Sequence, residues 1–200
     1  LQSWLVTDLW GHCSSEAFLW RLKTAAGSCG VLGDVGVHIL DLTTAVTGAP
    51  TRLRCELATF PKFADGRAHT SWQGQPLDAN DTAVIQLDFG GAALGVVQAT
   101  RWATGHVNHL RVEVHGSEGA LRFDLDDSYE RLQTCLGRDV KKGVWKSREF
   151  APAPNVWERF CRAVRRGRPE APDIGRGAQV QSLLDACERS AASGAWEAPR

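Results

Sequence analysis

Thr82-Ala-Val-Ile-Gln-Leu-Asp-Phe89 and Ala93-Leu-Gly-Val-Val-Gln-Ala-Thr100 are joined at Gly90-Gly91, and this stretch decides the fold. Apolar and β-branched residues recur at a period near two, as in strands with one buried face. A glycine pair between such runs supplies the positive φ that a tight hairpin turn requires. A second pair, His109-Leu-Arg-Val-Glu-Val-His115 and Ala120-Leu-Arg-Phe-Asp-Leu125, is joined through Gly116-Ser-Glu-Gly119. Upstream, Leu53, Cys55, Leu57 and Thr59 share one strand face, with Arg52, Arg54 and Glu56 on the other. Residues 2–10 read as a further strand, and weaker ones are expected at 131–136 and 144–150. Consecutive hairpins make a sheet that is mainly antiparallel.

Helices flank these strands. One is expected over about 32–47, with Gly48 as a left-handed C-terminal cap and Pro50 blocking continuation. Asn155 stands as N-cap to residues 156–166, where Trp157, Phe160, Cys161 and Val164 recur at helical spacing before Gly167. After the breaker Arg168-Pro-Glu-Ala-Pro172, Asp173 or Gly175 opens a last helix. It carries Val180, Leu183, Leu184, Cys187 and Ala191 on one side and closes near Gly194. Residues 11–30 read as irregular and 61–80 as a polar loop. The pattern is α+β: an open, mainly antiparallel sheet with helices packed on one face or end.

Composition narrows the partners. Lys+Arg 23 against Asp+Glu 23 leaves no net charge and no long basic run among 200 residues, so nucleic acid and acidic membrane surfaces are excluded as expected partners. No apolar stretch approaches the ~20 residues of a membrane helix, and no signal peptide opens the chain, so a cytoplasmic protein is expected. The chain contains no Met, so Leu1 reads as the start of a fragment or processed product. Six scattered cysteines lack metal-site spacing and are expected to be free thiols, with disulfides the alternative.

The densest polar cluster is Gly33-Asp-Val-Gly-Val-His-Ile-Leu-Asp41. On a helix, Asp34, His38 and Asp41 fall along one stripe. Asp34 could then accept the imidazole N–H and leave the other ring nitrogen to exchange a proton with a substrate. Gly36 admits a close approach by a ligand or by another backbone. The Gly27-Ser-Cys-Gly30 turn ahead of the helix would offer free N–H groups to an anionic or hydroxylated ligand. The bland alternative is that Asp34 caps the helix, His38 is a satisfied core histidine and Asp41 is solvated. Metal binding is a third reading, but no further His or Cys stands nearby in sequence, and no metal site is expected. Trp20-Arg21 could present an aromatic wall and a guanidinium to a polyol, or be an amphipathic pair under a loop. Arg101, Trp102 and His106 could line the same cleft, whereas His69, His109 and His115 read as surface positions. No Gly-x-x-x-x-Gly-Lys-Ser/Thr, Gly-x-Ser-x-Gly or His-Glu-x-x-His occurs.

The segment Ala26-Gly-Ser-Cys-Gly-Val-Leu-Gly-Asp-Val-Gly-Val-His-Ile-Leu-Asp-Leu42 resembles the Gly-rich, Asp-x-Gly-x-His-x-x-Asp signature of the Gfo/Idh/MocA family of NAD(P)-dependent oxidoreductases, which includes glucose-fructose oxidoreductase and inositol dehydrogenase. Trp20-Arg21, the strands around Gly116-Ser-Glu-Gly119, and the pair Phe160-Cys-Arg-Ala-Val164 and Ser190-Ala-Ala-Ser-Gly194 are similar to further family segments, in the family's order. The resemblance implies that residues 1–200 are a C-terminal substrate-binding domain, with no Rossmann domain in this chain. It implies His38 as acid/base and Asp34 as its support, with Trp20, Arg21, Asp41 and Arg101 contacting substrate. The implied substrate is a sugar, cyclitol or related polyol. NAD or NADP would be held mainly by an N-terminal domain, since neither a Gly-x-Gly-x-x-Gly turn nor a Glu-Lys-Pro motif is present. A homo-oligomer through the sheet face is expected, and the isolated chain is expected to be inactive. Ser28-Cys29 departs from the consecutive glycines of many members. Two alternatives remain: a non-enzymatic binding or oligomerisation module, and a hydrolase or lyase branch that recycles NAD.

Overall fold

The computed structural model describes residues 2–4, 20–64, 66–103, 105, 106 and 108–200. These fall into two compact units, residues 1–110 with 180–200 and residues 111–179. The strands are β1 Gln2–Trp4, β2 Arg52–Ala58, β3 Lys62–Ala64, β4 Arg67–His69, β5 Ser71–Trp72, β6 Gln75–Pro76, β7 Thr82–Asp88, β8 Leu94–Thr100, β9 Asn108–Gly116, β10 Gly119–Asp124, β11 Arg131–Leu136 and β12 Lys146–Glu149. The α-helices are α1 Val37–Thr47, α2 Val156–Arg166 and α3 Ile174–Ser193. Strand β9 and helix α3 each contribute residues to both units.

In the first unit, β2, β7 and β8 form the expected antiparallel meander. β1 lies between β8, to which it is parallel, and the start of β9, to which it is antiparallel. The rest of the strand expected at 2–10 falls outside the described residues. Alternation explains the core. Leu53 and Cys55 of β2, Ala83, Ile85 and Leu87 of β7, and Val97 and Ala99 of β8 are buried, and Arg52, Arg54 and Glu56 are exposed. Helix α1, preceded by a wide π turn over Leu32–Gly36, buries Leu32, Val35, Ile39 and Leu40. A Cβ built on Gly36 would lie 3.3 Å from Leu32 Cδ1 and at an ordinary 3.7 Å from Ala99 Cβ, so the tight neighbour of this glycine is its own turn and not the sheet. Val180, Leu183, Leu184, Ala186 and Cys187 form the buried side of α3. Ser190 Oγ accepts the Cys55 N–H at 2.9 Å, and the Cys187 thiol meets that of Cys55. That contact and burial push the Cys187 thiol well above the ordinary range. Cys29, Cys55, Cys135, Cys161 and Cys187 are free thiols, as expected, and Cys13 lies outside the described residues.

In the second unit, the rest of β9 pairs with β10, β10 with β11 and β11 with β12, all antiparallel. Its polar face is knit by Glu113, which accepts from Arg111 and Arg122, while Arg122 stacks on Trp145 at 4.3 Å. The Arg111 contact, then Arg122, holds the Glu113 carboxyl below the usual carboxylate range. Helix α2 opens with a reciprocal capping box. Asn155 Oδ1 accepts Glu158 N–H at 2.9 Å, and Glu158 Oε2 accepts Asn155 N–H at 3.0 Å. Its apolar stripe does not enter a core, however, since Trp157, Phe160 and Val164 are exposed.

Three further expectations are corrected. Residues 61–80 are not a plain loop but hold two small hairpins, β3 with β4 and β5 with β6. His109 is buried at 6% exposure, because its strand is paired with β1. Gly48 has φ 82 but ψ 174, outside the left-handed helical region, although its N–H still closes onto Thr44 O.

Candidate substrate site

A cavity of about 270 Å³ opens between the glycine turn and α3 in the first unit. Trp20, Arg21, residues 27–30 and 32–34, together with Gln181, Leu184 and Glu188, line it. The turn is built by local hydrogen bonds. Two short 3-10 segments, Trp20–Leu22 and Thr24–Ala26, lead to Gly27, whose φ of 82 reverses the chain. Ser28 Oγ donates to Arg21 O at 2.7 Å and accepts Gly30 N–H at 3.0 Å.

The start of the helix is tied to a distant segment. Asn80 O accepts Val31 N–H at 2.8 Å, Asn80 Oδ1 accepts Leu32 N–H at 3.0 Å, and Asn80 Nδ2 donates to Cys29 O at 2.9 Å. Gly33 N–H reaches Cys29 O at 3.3 Å. The N–H groups of residues 30–33, expected to be free for a ligand, are therefore already engaged. Gly30 has φ +63, and a Cβ there would lie 2.5 Å from the Asn80 side chain, so only glycine fits beneath this clamp. Two residues earlier, Asp78 accepts the Thr24 N–H and hydroxyl at 2.8 and 2.7 Å; the backbone N–H above all holds its carboxyl below the usual range. Asn80→Ala should strip the buried Leu32 N–H of its acceptor and cost about 1–3 kcal/mol. The check is a lower denaturant midpoint at unchanged slope.

The π turn changes the geometry expected of the polar stripe. Asp34 lies within the wide turn and His38 within regular helix, so the two are not successive positions on one straight helix. The Asp34 carboxylate turns to arginine. Oδ2 accepts Arg101 Nη2 at 2.9 Å and lies 3.4 Å from Arg21 Nε. Arg101 also donates to Arg21 O at 3.3 Å. With its side chain 2% exposed, Arg101 stands behind the cavity wall and not on it. Its place follows from β8, whose last residues are buried and deliver the guanidinium inward. Arg21 also covers the face of Trp20 at 4.7 Å, giving the cavity an aromatic flank with a cation on it. His38 is exposed on α1, and its imidazole has no hydrogen-bond partner among the described residues. Asp41 is half-buried one turn further on. Trp102 packs edge-on against Phe60, and His106 lies against His109.

Several site residues escape the sequence reading. Asp78 and Asn80 hold the turn, and Gln181 and Glu188 bring α3 to the cavity. The only signal for the last two was spacing. Residues 181, 184 and 188 recur at helical intervals on one side of a helix already marked by its apolar residues.

Residues 6–122 match the family model described as the GFO/IDH/MocA C-terminal domain, which is more than half of the chain. The chain belongs to this family. Levoglucosan dehydrogenase of Pseudarthrobacter phenanthrenivorans is 25% identical over 220 residues, which cover 94% of this chain and 56% of that protein. A solved oxidoreductase domain protein from Kribbella flavida is 29% identical, with TM-score 0.73 over 90% of this chain and 54% of that one. An aldose-aldose oxidoreductase from Caulobacter crescentus, solved with glycerol, shares the fold at 22% identity and TM-score 0.71, covering 98% of this chain and 53% of that one. The chain thus spans about half the length of the relatives it matches. Among the described residues, no helix is long and apolar enough to cross a membrane.

Proposed function

We propose that this chain is the substrate-binding and acid/base part of an NAD(P)-dependent oxidoreductase acting on a sugar, cyclitol or related polyol hydroxyl. The observation that carries this reading is Asp34, a carboxylate on the cavity wall fixed by one buried and one half-buried guanidinium, beside the Trp20 flank. A cavity of this size suits a ligand of a few carbon atoms with several hydroxyls. Trp20 and Leu184 offer apolar surface to a ring, while Asp34 accepts hydrogen bonds from its hydroxyls. Family membership and the levoglucosan dehydrogenase relative support the same class.

The residues then divide their work. Asp34 binds and orients a hydroxyl, and Arg101 is a positioning residue that holds Asp34 in the geometry the cavity requires. His38 takes the hydroxyl proton through a ring nitrogen. Arg21 lines the cavity beside Asp34, whereas Asp41, half-buried on α1, is not among the lining residues. The nicotinamide cofactor, when bound, supplies the hydride acceptor. The helix start at residues 30–33 does not fit its diphosphate, because its N–H groups are engaged by Asn80, Ser28 and Cys29. The cofactor is assigned to a Rossmann domain outside these residues, in a protein of the cytoplasm that associates through its sheet face.

The test is a panel of neutral sugars and cyclitols offered to the full-length protein with NAD or NADP, read by reduced nicotinamide. Substrate-dependent reduction is expected. Binding of cofactor without reduction by any member would overturn the assignment. For the 200-residue chain alone, calorimetry should show no NAD(P) binding, and a clear isotherm would place the cofactor site here after all.

A further inference from the structure

Helix α3 brings Gln181, Leu184 and Glu188 to the cavity, two polar groups with an apolar residue between them. Charge is unevenly distributed around this space. Both nearby guanidinium groups, Arg21 and Arg101, face Asp34. On the α3 side the cavity is lined by Gln181, Leu184 and Glu188, with no cation among the described lining residues there. Glu188 has no ion-pair partner among the described residues, and Arg189, next in sequence, is paired with Glu197 at 3.2 Å. The Cys29 thiol reports the local field. It is pushed up first by desolvation and then by the nearby carboxylates of Glu188 and Asp185, and Cys29 and Glu188 line the same cavity. Gln181 donates its amide nitrogen to Asp185 Oδ1 at 2.7 Å, which leaves its carbonyl oxygen as acceptor. The α3 wall is therefore rich in acceptors and negatively charged.

We propose that Glu188 is a specificity-determining residue. Its carboxylate accepts hydrogen bonds from ligand hydroxyls and repels ligands that carry a carboxylate or phosphate on that side, so that the cavity selects neutral polyols over sugar acids and sugar phosphates. The chemistry is differential. A hydroxyl donates to Glu188, whereas an anionic oxygen has no proton to give and meets like charge with no cation to offset it. Rejection of an anionic analogue is thus achieved by an unfavourable contact as well as by a favourable one with the neutral ligand. This inference rests on the reading of the cavity as the sugar site.

The experiment uses the full-length protein and two matched probe pairs, D-glucose with D-glucuronate and D-galactose with D-galacturonate. Each member differs from its partner only by a hydroxymethyl or carboxylate group. Binding is measured by calorimetry, and kcat/KM wherever turnover occurs. The parent protein should prefer the neutral member of at least one pair by about 10-fold or more, a difference equivalent to about 1.4 kcal/mol. Glu188→Lys should shrink or invert that ratio, chiefly through tighter binding of the acid and a lower KM for it, and Glu188→Gln should fall between. Glu188 is exposed, so neither change burdens the core. An unchanged ratio in Glu188→Lys overturns the proposal, as does failure of all four probes to bind. Failure of the oxidoreductase assignment looks different: selectivity persists in binding while no reduced nicotinamide forms.

Discussion

His38→Ala in the full-length protein should lower turnover by about 100-fold or more, the usual scale for loss of a general acid/base. The size of the effect follows from the isolation of the imidazole. It is exposed at the first turn of α1, and no described residue occupies either ring nitrogen, so its proton exchange is not tied up in a structural bond. Asp34, one turn earlier, is engaged by arginine and does not stand in as base. The loss should appear in kcat with a small change in KM, because the group acts on a proton in the reaction and contributes little to holding the ground state. The unfolding midpoint should stay within the ~0.5 kcal/mol equivalent typical of exposed substitutions. Turnover near the parent value, with the midpoint preserved, would remove His38 from the mechanism.

Lys62→Ala should produce the largest loss of stability, about 3–5 kcal/mol, the range for breaking one side of a buried ion pair. The Lys62 and Asp81 side chains are 2% and 1% exposed. Lys62 Nζ donates to Asp81 Oδ2 and to Phe60 O, and the same carboxylate oxygen accepts Phe60 N–H at 2.8 Å. Asp81 Oδ1 has no hydrogen bond among the described residues, so the carboxylate depends on the ammonium that faces its other oxygen. Without Lys62, a nearly dry negative charge is left uncompensated. Chemical denaturation should show the loss, and Lys62→Met combined with Asp81→Leu should recover most of it, since an apolar pair of similar volume removes both desolvation penalties. A double variant as unstable as the single one would mean that packing, and not charge, dominates. The pair also bears on the site. Asp81 O accepts Arg101 N–H at 2.8 Å, and Asn80 is its neighbour in the chain, so both clamps of the cavity start from this position.

The elements legible in the sequence were those with a repeating local pattern. Alternation in 82–88 and 94–100, with Gly90-Gly91 between, located β7 and β8, and Gly116 and Gly119 located the turn between β9 and β10. Asn155 and Gly167 bounded α2 because capping chemistry is local. β3 to β6 were missed because strands of two or three residues are too short to show a period, and the polar composition of 61–80 masks them. His109 was misplaced for a related reason, and nothing in the sequence marked Lys62 as buried. Residue type predicts exposure only until a specific partner or a neighbouring strand covers it, and those partners, Asp81 and β1, are distant in sequence. The Asp34, His38 and Asp41 cluster was visible, yet its internal geometry was not. The π turn and the pull of Arg101, 67 residues away, re-aim Asp34 in a way that spacing on an ideal helix does not contain. The exposed stripe of α2 shows the converse, a helical period without burial.

The Asn80 clamp joins the glycine turn to a residue 48 to 51 positions away, just ahead of β7. Contacts of that separation close only after the intervening chain is ordered, because loop closure costs entropy before the contact returns any stability. The cavity is thus not a local motif that a partly folded chain can carry. It exists to the extent that β7 is docked in its sheet, so that inherited or engineered damage to this strand, far from any ligand, would surface first as lost function and only later as an unfolded protein.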